Sequence, residues 1–303
     1  MQLHITHTTT YHYVPNVTAA QHMAHLLPRD TPSQQVLASS LHIDPAPGTR
    51  SETHDVYGNI RTFFSLPNSH KQLTITAQSL VQTIGCPFDK LHALHTPAWE
   101  NVRAHFQYHA GAAWDAATEF TFASPFVLPH ADFASYARPS FSAQRPVLQA
   151  AVDLMQRIYT DFDYVSQSTD VQTPAREALK QRQGVCQDFA HILLSCLRTQ
   201  GLAARYISGY LLTQPPEGQP RLIGSDASHA WVSLYVPDIA ENGLATQGRW
   251  FDLDPTNNRW GLNSPGEDYA CLAWGRDFGD VSPLRGVLHG SVNHTLEVGV
   301  TVA

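Results

Sequence analysis

Apolar and polar positions alternate with a period of two from the start of the chain. Leu3, Ile5, His7, Thr9, Tyr11 and Tyr13 fall on one side of an extended segment, and Gln2, His4, Thr6, Thr8, Thr10 and His12 on the other. That period marks a strand with one buried face. The alternation returns at Leu73, Ile75, Ala77, Ser79 and Val81, and Asp55-Val-Tyr-Gly-Asn59 reads as a turn leading into a strand over 61–66. Short strands separated by turns predict a β-rich, β-sandwich-like N-terminal domain over 1–83. Residues 84–142 carry little periodicity and many His, Pro and Phe residues; they read as an irregular connection with room for one short helix.

The period then changes to that of a helix. Val147, Leu148, Ala151, Val152, Leu154, Met155, Ile158, Tyr159 and Phe162 share one face. Thr173-Pro174 reads as an N-cap followed by proline at the first helical position of a second helix, which runs to about Arg182. A third helix covers Cys186 to Gln200, with Phe189, Ile192, Leu193, Cys196 and Leu197 on its apolar face and Gly201 as its C′ glycine. Strands follow at 203–212, 229–236 and 250–254, the last stopped by Pro255. In the second of these, Ala230, Val232, Leu234 and Val236 face one way and His229, Trp231, Ser233 and Tyr235 the other. Leu296, Val298, Val300 and Val302 form a final strand. Helices followed by a run of strands predict an α+β core over 143–268, and 269–303 read as a C-terminal extension.

Composition bounds the function. With 303 residues, 43% hydrophobic and only 15% charged, the chain can bury a sizeable core. Its net charge of -7 argues against nucleic acid or an anionic membrane as partner. The four cysteines, at 86, 186, 196 and 271, form no Cys-x-x-Cys pair, so neither a disulfide framework nor a structural zinc site is expected. The seventeen histidines are scattered without His-Glu-x-x-His and read mostly as surface or core residues. No cofactor or metal is expected. No basic segment followed by an apolar run opens the chain, and no stretch approaches the length of a membrane span. Free thiols without a signal point to the cytoplasm. The oligomeric state is left open.

The chemistry concentrates in Gln183-Gly-Val-Cys-Gln-Asp-Phe-Ala190. Cys186 falls at a helix N-terminus, where unpaired N–H groups and the positive end of the dipole favour a thiolate. The same N–H groups suit the oxyanion of an attacked carbonyl. Cys196, on the apolar face, reads as a buried structural cysteine. A thiolate of this kind needs a histidine to move protons and a third group to hold the histidine. His229, opening a strand after a polar loop, is the candidate, although one histidine of seventeen is not singled out by position alone. Trp250-Phe-Asp-Leu-Asp-Pro-Thr-Asn257 supplies the third member: Asp252 and Asp254 point to the same face of a strand, and periodicity does not choose between them. Asp254 precedes Pro255 at a strand end, where loops commonly build sites. Asp188 either caps the helix or binds Arg205, and a carboxylate so near the thiol favours a structural role. Trp231 either lines the cleft or packs in the core. Gln183 is a further supporting candidate.

The blocks Gly184-Val-Cys-Gln-Asp-Phe-Ala190, His229-Ala-Trp-Val232 and Asp254-Pro-Thr-Asn257, in this order and with spacings of 43 and 25 residues, resemble the three blocks of the bacterial transglutaminase-like superfamily. Ala204-Arg-Tyr-Ile-Ser-Gly-Tyr210 matches the family strand after the cysteine helix. Tyr11-His-Tyr13, His25-Leu-Leu-Pro-Arg29 and Asp55-Val-Tyr-Gly-Asn59 resemble the β-rich region that precedes this core in one bacterial branch, and 275–286 fit the same branch. The resemblance spans nearly the whole chain. It implies a papain-like Cys186-His229-Asp254 triad at a helix packed on an antiparallel sheet, and it favours Asp254 over Asp252 because the family block is Asp-Pro-Thr. Ser233 stands where many relatives carry an acidic residue, which bears on the rim charge near the histidine.

The triad implies acyl transfer through a thioester. Hydrolysis of a peptide or isopeptide bond is the expectation, with a peptide or protein as substrate; no Asp-x-Asp-x-Asp-Gly calcium loop is present. A transglutaminase joining glutamine to an amine shares the first half-reaction and is the alternative. A non-catalytic binding module is the rival from another class, against which the intact Cys, His and Asp argue. A metalloprotein lacks ligand spacing.

Overall fold

A computed structural model describes residues 1–87, 95–111, 114–166, 169, 171–213, 228–239, 245–290 and 293–303. The two alternating segments at the start of the chain are neighbours. Strand β1 (Gln2–Val17) pairs antiparallel with β6 (His70–Thr83), setting Leu3 opposite Val81, Thr9 opposite Ile75 and Tyr11 opposite Leu73. Between them in sequence come β2 (Ala19–Ala24), β3 (Gln34–Asp44), β4 (Thr49–His54) and β5 (Ile60–Leu66). Opposed residues share a face, so the period-two pattern becomes one apolar surface. Tyr13, Val17, Leu41, Ile43, Phe64, Leu66, Leu73 and Ile75 fill a core shared by two antiparallel sheets.

Both sheets take a strand from the far end of the chain. The first has the order β15-β1-β6-β3 and the second β14-β2-β5-β4, with β14 spanning Leu284–His289 and β15 spanning Asn293–Val302. The preceding strand, β13 (Tyr269–Gly275), belongs instead to the core sheet, beside β9 (Ala204–Leu211). Residues 269–303 are therefore divided between the two halves and do not form a separate extension. β13 escaped the period-two reading because Tyr269, Ala270, Leu272 and Ala273 are all buried, so no alternation shows.

Residues 84–142 hold more regular structure than one helix: α1 (Trp99–His105), α2 (Ala131–Ala137) and 3₁₀ turns at 116–121 and 138–140. Seven-residue helices span barely two turns and leave little periodic trace. The next helix, α3 (Val147–Asp161), matches the predicted apolar face, and Val147, Leu148, Ala151, Leu154, Met155 and Ile158 are all buried. Strand β7 (Asp163–Tyr164) pairs parallel with β8 (Gln183–Gly184), and α4 (Ala175–Gln181) lies between them. Pro174 occupies the N-cap of α4 and not its first helical position.

Helix α5 (Cys186–Thr199) packs on a five-stranded antiparallel sheet of order β12-β11-β10-β9-β13. Its other strands are β10 (Ser228–Ile239), β11 (Ala245–Asp254) and β12 (Arg259–Leu262). The short α6 (Phe278–Val281) follows β13. At the end of α5, Gly201 adopts φ +78, and the Gly201 and Leu202 N–H groups bond to the carbonyls of Arg198 and Leu197. This is the glycine-ended helix stop anticipated from sequence.

The two halves are tied at the outer edge of β13. The Gln34 side chain accepts from Cys271 N–H (2.7 Å) and donates to Cys271 C=O (2.7 Å). Asn59 does the same with Trp274 N–H (3.0 Å) and C=O (2.7 Å). Two side-chain amides thus stand in for a neighbouring strand. Arg29 lies 3.6 Å from the Trp274 ring centre and donates to Tyr57 C=O and Asn59 Oδ1. The Leu-Pro-Arg and Asp-x-Tyr-Gly-Asn segments are therefore docking elements.

Candidate active site

Cys186 is the first residue of α5, after Val185 in extended conformation (φ -117, ψ 179). Asp188 carries that entry. Its Oδ2 accepts from the Val185 N–H (2.8 Å) and from the Thr169 hydroxyl (2.6 Å), and the carboxylate is buried at the positive end of the helix dipole. Gly184 makes room for it: a Cβ there would stand 2.8 Å from Asp188 Cβ and Oδ2. Asp188 is thus a cap; Arg205 lies elsewhere, between the Trp250 and Trp274 rings at 3.9 and 4.0 Å. The helix end leaves the Cys186 thiol half-buried, whereas burial pushes the Cys196 thiol up.

His229 is the second residue of β10. Strand register delivers the two aspartates to different partners. Asp252 lies opposite Ser233 and reaches back to Trp231 Nε1–H (2.8 Å). Asp254, two residues on, reaches by the same diagonal to His229 Nε2–H (2.7 Å). Gly209, opposite His229, gives space to Trp231, whose ring tip would come within 2.5 Å of a Cβ there. Trp231 stacks on His229 with ring centres 6.0 Å apart and is 1% exposed. It packs in the core behind the histidine and does not line a cleft. Ser233 is fully buried mid-strand between Arg205 and Asp252, so it contributes nothing to a rim charge.

Asp254 is completely buried and gathers five donors. Oδ2 receives His229 Nε2–H (2.7 Å), Tyr269 O–H (2.7 Å) and Asn257 Nδ2–H (2.8 Å); Oδ1 receives the N–H groups of Thr256 (2.8 Å) and Asn257 (3.3 Å). Burial alone would raise its pKa, but these bonds, led by that from His229, outweigh it and hold the carboxyl below its ordinary range. Burial alone would lower the pKa of His229. Its hydrogen bonds to Asp254 and Cys186 overcome that and raise it to about 10. With Nε2 bound to Asp254, Nδ1 is the nitrogen left for the thiol. The arrangement favours a protonated imidazole beside an ionised Asp254.

Of the three residues, His229 and Asp254 are joined by a hydrogen bond, and Cys186 at the start of α5 acts on the same imidazole. Asp188 supports the helix entry, and Asp252 and Trp231 support the histidine from behind. Gln183 is exposed on β8 and makes no hydrogen bond to the three among the described residues. The polar loop expected before His229 lies outside the described residues. Two residues were missed as site members. Asn257 stands in the quoted Asp-Pro-Thr-Asn block, which was the available signal; Tyr269 is fifteen positions beyond Asp254, on a strand that leaves no periodic trace.

Comparison with known proteins defines the class. Residues 134–255 match the Transglutaminase-like superfamily, and residues 3–82 match the Bacterial transglutaminase-like N-terminal region. The chain belongs to this superfamily, typically of cysteine-dependent enzymes. An uncharacterized protein of Mycobacterium tuberculosis is 42% identical over 307 residues, covering 98% of this chain and 91% of the relative. One from Mycobacterium leprae is 28% identical, covering 99% of this chain and 98% of the relative. Among solved structures, "a Putative Cysteine Protease from Cytophaga hutchinsonii" aligns with a TM-score of 0.74 at 21% identity, covering 100% of this chain and 90% of that one, which establishes a shared fold.

Proposed function

We propose that the protein is a cysteine hydrolase that cleaves a peptide or isopeptide amide through a Cys186-His229-Asp254 triad. One observation carries this reading: the His229 ring is held through Nε2 by the buried Asp254 carboxylate at 2.7 Å, in the order and spacing from Cys186 that the sequence blocks give. His229 Nδ1 takes the thiol proton and the sulfur attacks the carbonyl carbon. The oxyanion forms beside the first turn of α5, where the Cys186 N–H is a suitable donor. As the C–N bond breaks, the imidazolium gives its proton to the leaving amine, and a thioester remains. Water then loses a proton to Nδ1 and attacks the thioester, the C–S bond breaks, and the thiol is restored. Asp254 stays ionised throughout and fixes the ring.

The test is mass spectrometry of a broad peptide library incubated with the enzyme, with and without a primary amine, using Cys186→Ala as control. Cleaved peptides in the wild type alone support hydrolysis. Amine adducts on glutamine would replace it with transfer. Equal product with Cys186→Ala would remove Cys186 from the chemistry.

A further inference from the structure

The Asp254 carboxylate is fastened more completely than a histidine partner requires. An ionised carboxylate offers about four lone-pair sites, and Asp254 fills them with five donors. Two of these are side chains outside the triad, and both act on the oxygen that holds His229. We propose that Tyr269 and Asn257 are positioning residues that lock Asp254 Oδ2 in line with His229 Nε2, Tyr269 from within the sheet and Asn257 from the solvent side. This rests on the triad reading above.

Tyr269 is well built for the task. Its ring stands edge-on to Trp231 (5.4 Å between centres) and tilted against His229 (6.0 Å). The Arg259 guanidinium lies 4.7 Å over the ring and is itself forked onto Asp268. The hydroxyl therefore arrives at Asp254 with little freedom left to lose on forming the bond. A phenylalanine would fill the same apolar cluster with Ile207 and Trp231 equally well, so packing does not account for the hydroxyl. Asn257 is exposed and forms part of the wall of a cavity of about 700 Å³ shared with Leu211, Leu212, Arg259 and Asp268. Its amide lies 3.3 Å from His229 Nε2 and 2.8 Å from Asp254 Oδ2, screening their bond from cavity water.

Three readouts on the full chain test this without a known substrate. They are the rate of Cys186 alkylation by iodoacetamide as a function of pH, the low-field proton resonance of the His229–Asp254 bond, and the thermal midpoint. Tyr269→Phe should slow alkylation near neutral pH on the order of tenfold. It should also lose the low-field resonance at higher pH on the acid side, because the hydroxyl stabilises the carboxylate anion. Asn257→Ala, at an exposed position where folding is not at stake, should slow alkylation by a smaller factor and broaden the resonance by faster exchange. Unchanged alkylation and resonance in both variants, with only a lower thermal midpoint for Tyr269→Phe, would overturn the inference while leaving the triad standing. A wild type in which Cys186 alkylates no faster than in denatured chain, with no low-field resonance, would sink the triad reading and this inference with it.

Discussion

The two buried aspartates of β11 share a strand face and differ in what a substitution should cost. Asp254 serves the histidine, and Asp252 serves Trp231 and lies near the Arg205 charge. Asp254→Ala should reduce turnover by roughly 10⁴-fold, the scale seen when a triad histidine loses its orienting carboxylate. Asp252→Ala should cost stability first, on the order of 1–3 kcal/mol, because it leaves the buried Trp231 Nε1–H without its acceptor. Paired kinetics and thermal melts separate the two, and equal loss of turnover would mean that both hold the histidine. The pH profile carries a second sign. The His229 pKa is raised above 6.5, so its protonated form contributes fully below that value and is lost as pH rises through about 10. The Asp254 pKa is lowered, so its contribution is present above 3.8 and lost as pH falls through its folded value. The alkaline limb of kcat/KM should therefore lie well above pH 6.5 in the wild type and fall toward it in Asp254→Ala; an alkaline limb already near 6.5 in the wild type would contradict the ion pair.

Helix α5 owes its chemistry to how it starts. Val185 N–H is satisfied by Asp188, and Gly184 is the residue that lets the carboxylate in. Gly184→Ala should push Asp188 off the cap, lower stability by about 1 kcal/mol, and slow thiol labelling at Cys186; labelling at the wild-type rate would show that the entry does not orient the thiol. This element was legible in the sequence from end to end, because Gly184, the apolar face and Gly201 each signal a local event. The strands β1 and β6 were legible because one face of each is buried and the other is at least partly exposed. β10 and β11 are buried on both faces over 229–234 and 251–254, and were legible because polar residues still alternate with apolar ones there. β13 was not, because Tyr269-Ala-Cys-Leu-Ala-Trp274 holds no charged or amide residue to mark a period, and with it went Tyr269. The choice between Asp252 and Asp254 could not be read from periodicity either, because it depends on cross-strand register between β10 and β11 and a strand's own period contains no register.

At the scale of the molecule, one edge strand of the five-stranded sheet carries much of its junction with the N-terminal sheets. β13 pairs with β9 on one side and presents its other edge to Gln34 and Asn59. Leu3, Ile5, Val81, Val300 and Val302 of the β15-β1-β6-β3 sheet pack against Tyr210, Ala270 and Leu272 of the five-stranded sheet, so an apolar seam runs beside the amide contacts. β13 also carries Tyr269 to Asp254. Docking and site geometry therefore act on the same strand, and a change more than one residue removed from the triad can reach it. Asn59→Ala tests the connection. It removes the bonds to the Trp274 N–H and carbonyl, and the Arg29 partner, leaving buried backbone groups without a mate. The expected loss is about 2–3 kcal/mol, or a fall in thermal midpoint of roughly 3–5 °C for a chain of this size. Iodoacetamide labelling of Cys186 should slow at temperatures where the protein remains folded. If the midpoint falls while labelling at Cys186 is untouched, the N-terminal half stabilises the core without setting the geometry of its site; if both move together, the Asp-x-Tyr-Gly-Asn segment is part of what holds the triad in register.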